Sequence, residues 1–86
     1  MLAKPSIVCR VLRNFADPIP ASKGDTLSAW PGHPTHALTV VNASGQLVQW
    51  SSYARHELYE SLLDLFLDAA IVPLSVESER AILRVV

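Results

Sequence analysis

Between Ala37 and Ala70 the chain sets out two short β-patterned runs around a glycine turn, followed by one long amphipathic helix. His36 to Val41 and Gln46 to Ser51 are the runs. The Asn42-Ala43-Ser44-Gly45 segment between them suits a type I turn with Gly45 at positive φ, so a β-hairpin is expected. Ser51 or Ser52 can cap the helix that follows, and Arg55 to Ala70 propagate it. Ile71 and Val72 fray it, and Pro73 stops it because proline drives its predecessor out of the α region.

On a helical wheel Leu58, Leu62, Leu65, Phe66 and Ala69 form a core stripe, which Tyr59, Leu63, Leu67 and Ala70 widen to about half the circumference. One sheet accounts for roughly 100° of apolar arc. The flank of Tyr59, Leu63 and Leu67 therefore wants a second surface: a loop of this chain, a twin subunit or a target. Glu57, Glu60, Asp64 and Asp68 share another face, with no Lys or Arg three or four residues from any of them inside the helix. Carboxylates at those spacings repel by about 0.2–0.5 kcal/mol per pair, so the stripe works against its own helix. A solvated wet face accounts for such a stripe; its functional reading is a cationic surface elsewhere.

The remainder of the chain supplies a small sheet. Ser6 to Phe15 alternates, with Ile7, Cys9, Val11 and Phe15 on one side and Arg10 and Asn14 on the other, which predicts a strand. Arg13 falls on the apolar side near its end, where that face should open to water. Ala16 to Asp25 holds Pro18, Pro20 and Gly24 and reads as loop. Thr26 to Trp30 suits a short strand or a single turn, and Pro31-Gly32-His33-Pro34 reverses the chain. Arg80 to Val86 reads as a last strand after a Glu77-Ser78-Glu79 turn, with a short helix capped by Ser78 as the competing reading. The expected fold is α+β: a small antiparallel sheet of three to five strands with one amphipathic helix packed on it. It forms a single domain over 1–86. The Pro-rich middle also permits an SH3-like barrel with an appended helix.

Half the residues are apolar and 17% are charged, which excludes disorder and is rich for a chain with room for one core. The surplus apolar surface points to a homodimer or a partner. A net charge of −1 gives no general attraction to nucleic acid or to an anionic membrane. Cys9, the lone cysteine, allows no intramolecular disulfide, and its apolar, strand-like setting predicts a buried, inert thiol. No signal-peptide pattern and no apolar run of about 20 residues is present, so a cytoplasmic location is expected.

No catalytic chemistry is indicated. His33 and His36 form a His-x-x-His pair, but a structural zinc needs four ligands and no second pair accompanies them. No serine sits in a Gly-x-Ser-x-Gly elbow, and the glycines at 24, 32 and 45 are too scattered to cradle a phosphate. The helix carboxylates face outward with no cleft to raise a pKa for acid–base work. Neither an enzyme, a cofactor nor a metal is expected.

Three binding readings stand. The first is a non-enzymatic protein-binding module, an inhibitor or adaptor that docks on a basic surface of a larger protein through Glu57, Tyr59, Glu60, Leu63, Asp64, Leu67 and Asp68. The second is a nucleic-acid-binding β domain in which Arg10, Arg13 and Arg84 share a sheet near a tryptophan; the few cations and negative net charge weigh against it. The third is a structural homo-oligomer that buries Leu63 and Leu67 against a twin. The order strand, Asn-Ala-Ser-Gly turn, strand and acidic helix (Ala37 to Asp68) resembles that of several small phage-encoded inhibitors, anti-CRISPR proteins among them. The likeness covers under half the chain. It implies a protein without a catalytic site that covers a nucleic-acid-binding or catalytic surface of its target.

Overall fold

A computed structural model of the chain describes residues 5–30, 38–50 and 55–83. Its elements in chain order are β1 (Ile7–Val11), β2 (Thr26–Trp30), β3 (Leu38–Val41), β4 (Leu47–Trp50), α1 (Arg55–Leu67), β5 (Ile71–Pro73) and α2 (Val76–Leu83). The strands form one antiparallel sheet in the order β4-β3-β2-β1-β5. The α+β architecture expected from the sequence is the one observed, with five strands and a second helix.

Alternation decides which face is covered. Ile7, Ala29, Val40 and Val48 lie across one another on one face, Cys9 lies between Leu27 and Pro73, and Val11 pairs with Ile71. With Ile19 these residues meet Leu58, Tyr59, Leu62 and Leu65 of α1 and Ala81 and Ile82 of α2 in a single core. Burying that much apolar surface is the dominant favourable term in folding. The opposite face carries Val8, Arg10, Thr26, Ser28, Trp30, Val41, Leu47, Gln49 and Val72, most of them at least partly exposed, with Thr39 buried among them.

The hairpin turn forms as its residues require. The Gly45 N–H donates to the Asn42 carbonyl at 3.1 Å, and Gly45 has φ +85°. The β1–β2 connection is better ordered than its prolines suggest. Phe15 and Ala21 exchange both backbone hydrogen bonds, Ile19 is buried, and the Asn42 side-chain amide donates to the Pro20 carbonyl.

Two expectations for the C-terminal third are corrected. The helix does not run to Ala70 and fray; it ends at Leu67 in a Schellman cap. Ala69 stands there at φ 57°, Ala69 N–H donates to the Phe66 carbonyl at 3.1 Å, and Ala70 N–H donates to the Leu65 carbonyl at 2.8 Å. That reversal frees Ile71–Pro73 to become the edge strand β5. The strand expected over Arg80 to Val86 gives way to the competing helix reading: α2 runs from Val76 to Leu83, and residues 84–86 lie outside the described part. Its cap is Ser75, whose Oγ accepts the Ser78 N–H at 3.0 Å.

Candidate protein-docking face

The helix α1 holds the acidic stripe in water. Glu57, Glu60 and Asp64 are exposed along it, and Asp68 continues the same face because its N–H donates to the Asp64 carbonyl at 2.9 Å. The single ion pair among the described residues is Arg13 Nη2 to Asp68 Oδ2 at 3.9 Å, with both side chains more than half exposed. An exposed pair at that distance is worth about 0–1 kcal/mol. The other three carboxylates have no cation against them among the described residues. Glu77 and Glu79 of α2 are exposed as well, so the helical layer presents acid on both of its helices.

The apolar part of the predicted face is largely absorbed within the chain. Tyr59 is a core residue at 6% exposure, and Leu63 is half-buried against the core, so neither is displayed for a partner. The physical reason is α2, which packs beside α1 and shares its core, supplying the second surface that the wide apolar arc demands. Leu67 alone of that flank remains outside, at 70% exposure next to Asp68. Sequence reasoning missed Leu74 and Val76, which are exposed where β5 gives way to α2. Their signal was an apolar residue on either side of the capping Ser75.

Arg10 and Arg13, the two cations of the alternative reading that lie among the described residues, are not brought together. Arg10 lies on the open sheet face between Thr26 and Val72, with Nη1 donating to the Gly24 carbonyl at 2.9 Å. Arg13 lies beyond the end of β1, turned toward Asp68 of the helical layer. Arg84 lies outside the described residues, as do His33, His36, Tyr53 and the expected helix caps Ser51 and Ser52.

Cys9 is fully buried in β1, and that burial pushes its thiol up to about 12. A thiol held neutral is neither nucleophile nor ready ligand at ordinary pH. Among the described residues no group of three or more His, Cys, Asp or Glu is placed to hold a metal ion, and no helix is long and apolar enough to cross a membrane. No protein-family model, curated protein or solved structure matches this chain significantly.

Proposed function

We propose that this chain is a small non-enzymatic protein-binding module that docks the acidic face of α1 on a basic surface of a larger protein. The supporting observation is the stripe of Glu57, Glu60, Asp64 and Asp68, all exposed and, among the described residues, met by one distant arginine. Successive like-charged neighbours at these spacings cost the helix roughly 0.2–0.5 kcal/mol each. That is a standing cost in a small domain, where total stability is about 5–15 kcal/mol, and a cationic partner would turn it into binding energy and faster encounter. With Tyr59 in the core and Leu63 packed against it, attachment rests on charge and on Leu67, so the complex should weaken steeply with salt. In its more specific form, the module is an inhibitor in the style of small phage-encoded anti-CRISPR proteins, laying acid over a basic channel that otherwise holds nucleic acid.

The test uses a tagged chain and its Glu60→Lys/Asp64→Lys variant as baits in extract from the cells that encode it, with captured proteins identified by mass spectrometry. A basic protein retained by the native chain at low salt, released as salt rises, and lost from a variant with an undiminished melting temperature is the expected result. Equal capture by both baits would remove the reading.

A further inference from the structure

The two edges of the sheet are finished differently. The Asn42 N–H donates to the Gln46 carbonyl at 3.1 Å, which fixes the alternation along the β3–β4 ladder. Val48 then bonds inward to Val40, while Leu47 and Gln49 aim their N–H and C=O groups away from the sheet. At the other edge, Leu74 N–H donates to the Val8 carbonyl at 2.9 Å and Leu12 N–H donates to the Ala70 carbonyl at 2.8 Å. Ile71 and Pro73 are therefore the outward positions of β5. Proline there deletes a donor that an added strand would need, one of the usual devices for blunting an edge. The edge strand β4, Leu-Val-Gln-Trp, contains no proline and no charge, no other described strand pairs with its outward side, and Leu47 is 49% exposed.

We infer that β4 pairs with β4 of a second copy of this chain, antiparallel about a two-fold axis at Val48, to give a continuous ten-stranded sheet. In that register Leu47 and Gln49 of one copy exchange backbone hydrogen bonds with Gln49 and Leu47 of the other, and every outward group finds its partner. Three features favour a twin as the occupant. A two-fold axis brings each residue beside its own copy or a near neighbour, and β4 is neutral, so no like charges meet. Val48 meets Val48 of the second copy on the core face, extending the apolar layer. The acidic α1 packs against α2 and β5, and β5 is the edge of the sheet opposite β4. This surface is separate from the acidic face of α1.

A contact one short strand wide is small, so the dimer should be weak and visible only as concentration approaches about 1 mM. Sedimentation equilibrium should show the weight-average mass rising toward twice the monomer value. Amide exchange at Leu47 and Gln49 should slow over the same range, with the Val48 amide unchanged. Leu47→Pro removes one outward donor and leaves the β3 ladder intact, and Leu47→Lys/Gln49→Lys sets like charges across the axis. Each should hold the mass at the monomer value while circular dichroism confirms the fold. A monomer at every concentration would overturn the inference. So would a dimer that both variants leave unchanged, or one that forms without slower exchange at Leu47 and Gln49.

Discussion

The hydroxyl of Ser78, in the first turn of α2, accepts the backbone N–H of Val8 in β1 at 2.9 Å, a bond between residues seventy positions apart. The N–H of Val8 faces the β5 side, where the paired carbonyl would come from Leu74 had the strand continued. The chain turns into α2 at Ser75 instead, and the serine oxygen takes over. Ser78 is 2% exposed, and its Oγ also accepts the Ser75 hydroxyl at 2.8 Å.

Ser78→Ala should therefore cost more than an ordinary surface change. It leaves the Val8 N–H without its acceptor in a partly buried site, a loss of about 1–3 kcal/mol. Ser75→Ala removes the helix cap and should cost about 1 kcal/mol. Urea unfolding of both variants with unchanged slopes checks this. Ser78→Ala within 0.5 kcal/mol of the parent would show that the tie carries no weight.

Ala69 closes α1 in the left-handed region, where a Cβ crowds the following carbonyl at a cost of about 1–2 kcal/mol. Ala69→Gly should raise stability by up to about 1 kcal/mol, offset in part by the greater freedom glycine gives the unfolded chain. Ala69→Val should lower it. A melting temperature that falls in the glycine variant would contradict this account of the cap.

Asp64 has a carboxylate four residues away on each side, Glu60 and Asp68, and lies near the C-terminal end of α1. Asp64→Lys turns two repulsive pairs into two attractive ones and places a cation toward the negative end of the helix dipole. The sum is a gain of about 1 kcal/mol at low salt. The gain should shrink in concentrated salt, where the Debye length is about 3 Å. A destabilised variant would mean that Asp64 has a favourable role within the monomer.

Cys9 gives a pH signature. Its thiol sits at about 12 when folded against 9.0 for the ordinary group, because burial disfavours the thiolate. The folded chain thus keeps a proton that the unfolded chain releases. The stabilisation is complete below pH 9 and is lost as pH climbs through 9 toward 12, by at most about 1.4 kcal/mol per pH unit. Cys9→Val, which keeps an apolar side chain in the core, should lower that slope. An identical alkaline profile in the variant would place the cause in other groups. In the native chain the thiol should also resist a thiol reagent until urea is added.

Legibility in the sequence tracked local chemistry. The Asn42 to Gly45 turn, the alternation of Ile7, Cys9 and Val11 and the α1 stripe were readable because each is fixed by residues within a few positions. Ile71–Pro73 was not, since proline after a helix reads as a stop, and only pairing with β1 makes it a strand. The second helix was the competing reading of its stretch, with the cap placed at Ser78; the cap is Ser75, with Glu77 and Glu79 in the first turn. Preferring a strand to that helix is what made Tyr59 and Leu63 look unclaimed. The acids share an exposed face, with no Lys or Arg three or four residues from any of them inside the helix, and among the described residues one cation, Arg13, comes to the end of the stripe.

Asn42 offers the sharpest remaining test, because its side chain holds two loops together. At 7% exposure, its Nδ2 donates to the Pro20 carbonyl and to Gln46 Oε1 at 2.9 Å, while Oδ1 accepts Ser44 Oγ and the Gln46 N–H. Asn42→Asp keeps the acceptor and the shape but turns the donor into a second oxygen facing two oxygens. Near neutral pH that should cost at least about 2 kcal/mol, as a buried charge meets carbonyls without a proton between them. The same crowding raises the new carboxyl's pKa in the folded state. Protonation restores one donor, so the deficit relative to the parent should shrink as pH falls toward about 4. Urea unfolding of parent and variant at both pH values measures this. A deficit that stays constant with pH, or is absent near neutrality, would mean that the Asn42 amide does not pin the β1–β2 connection to the hairpin.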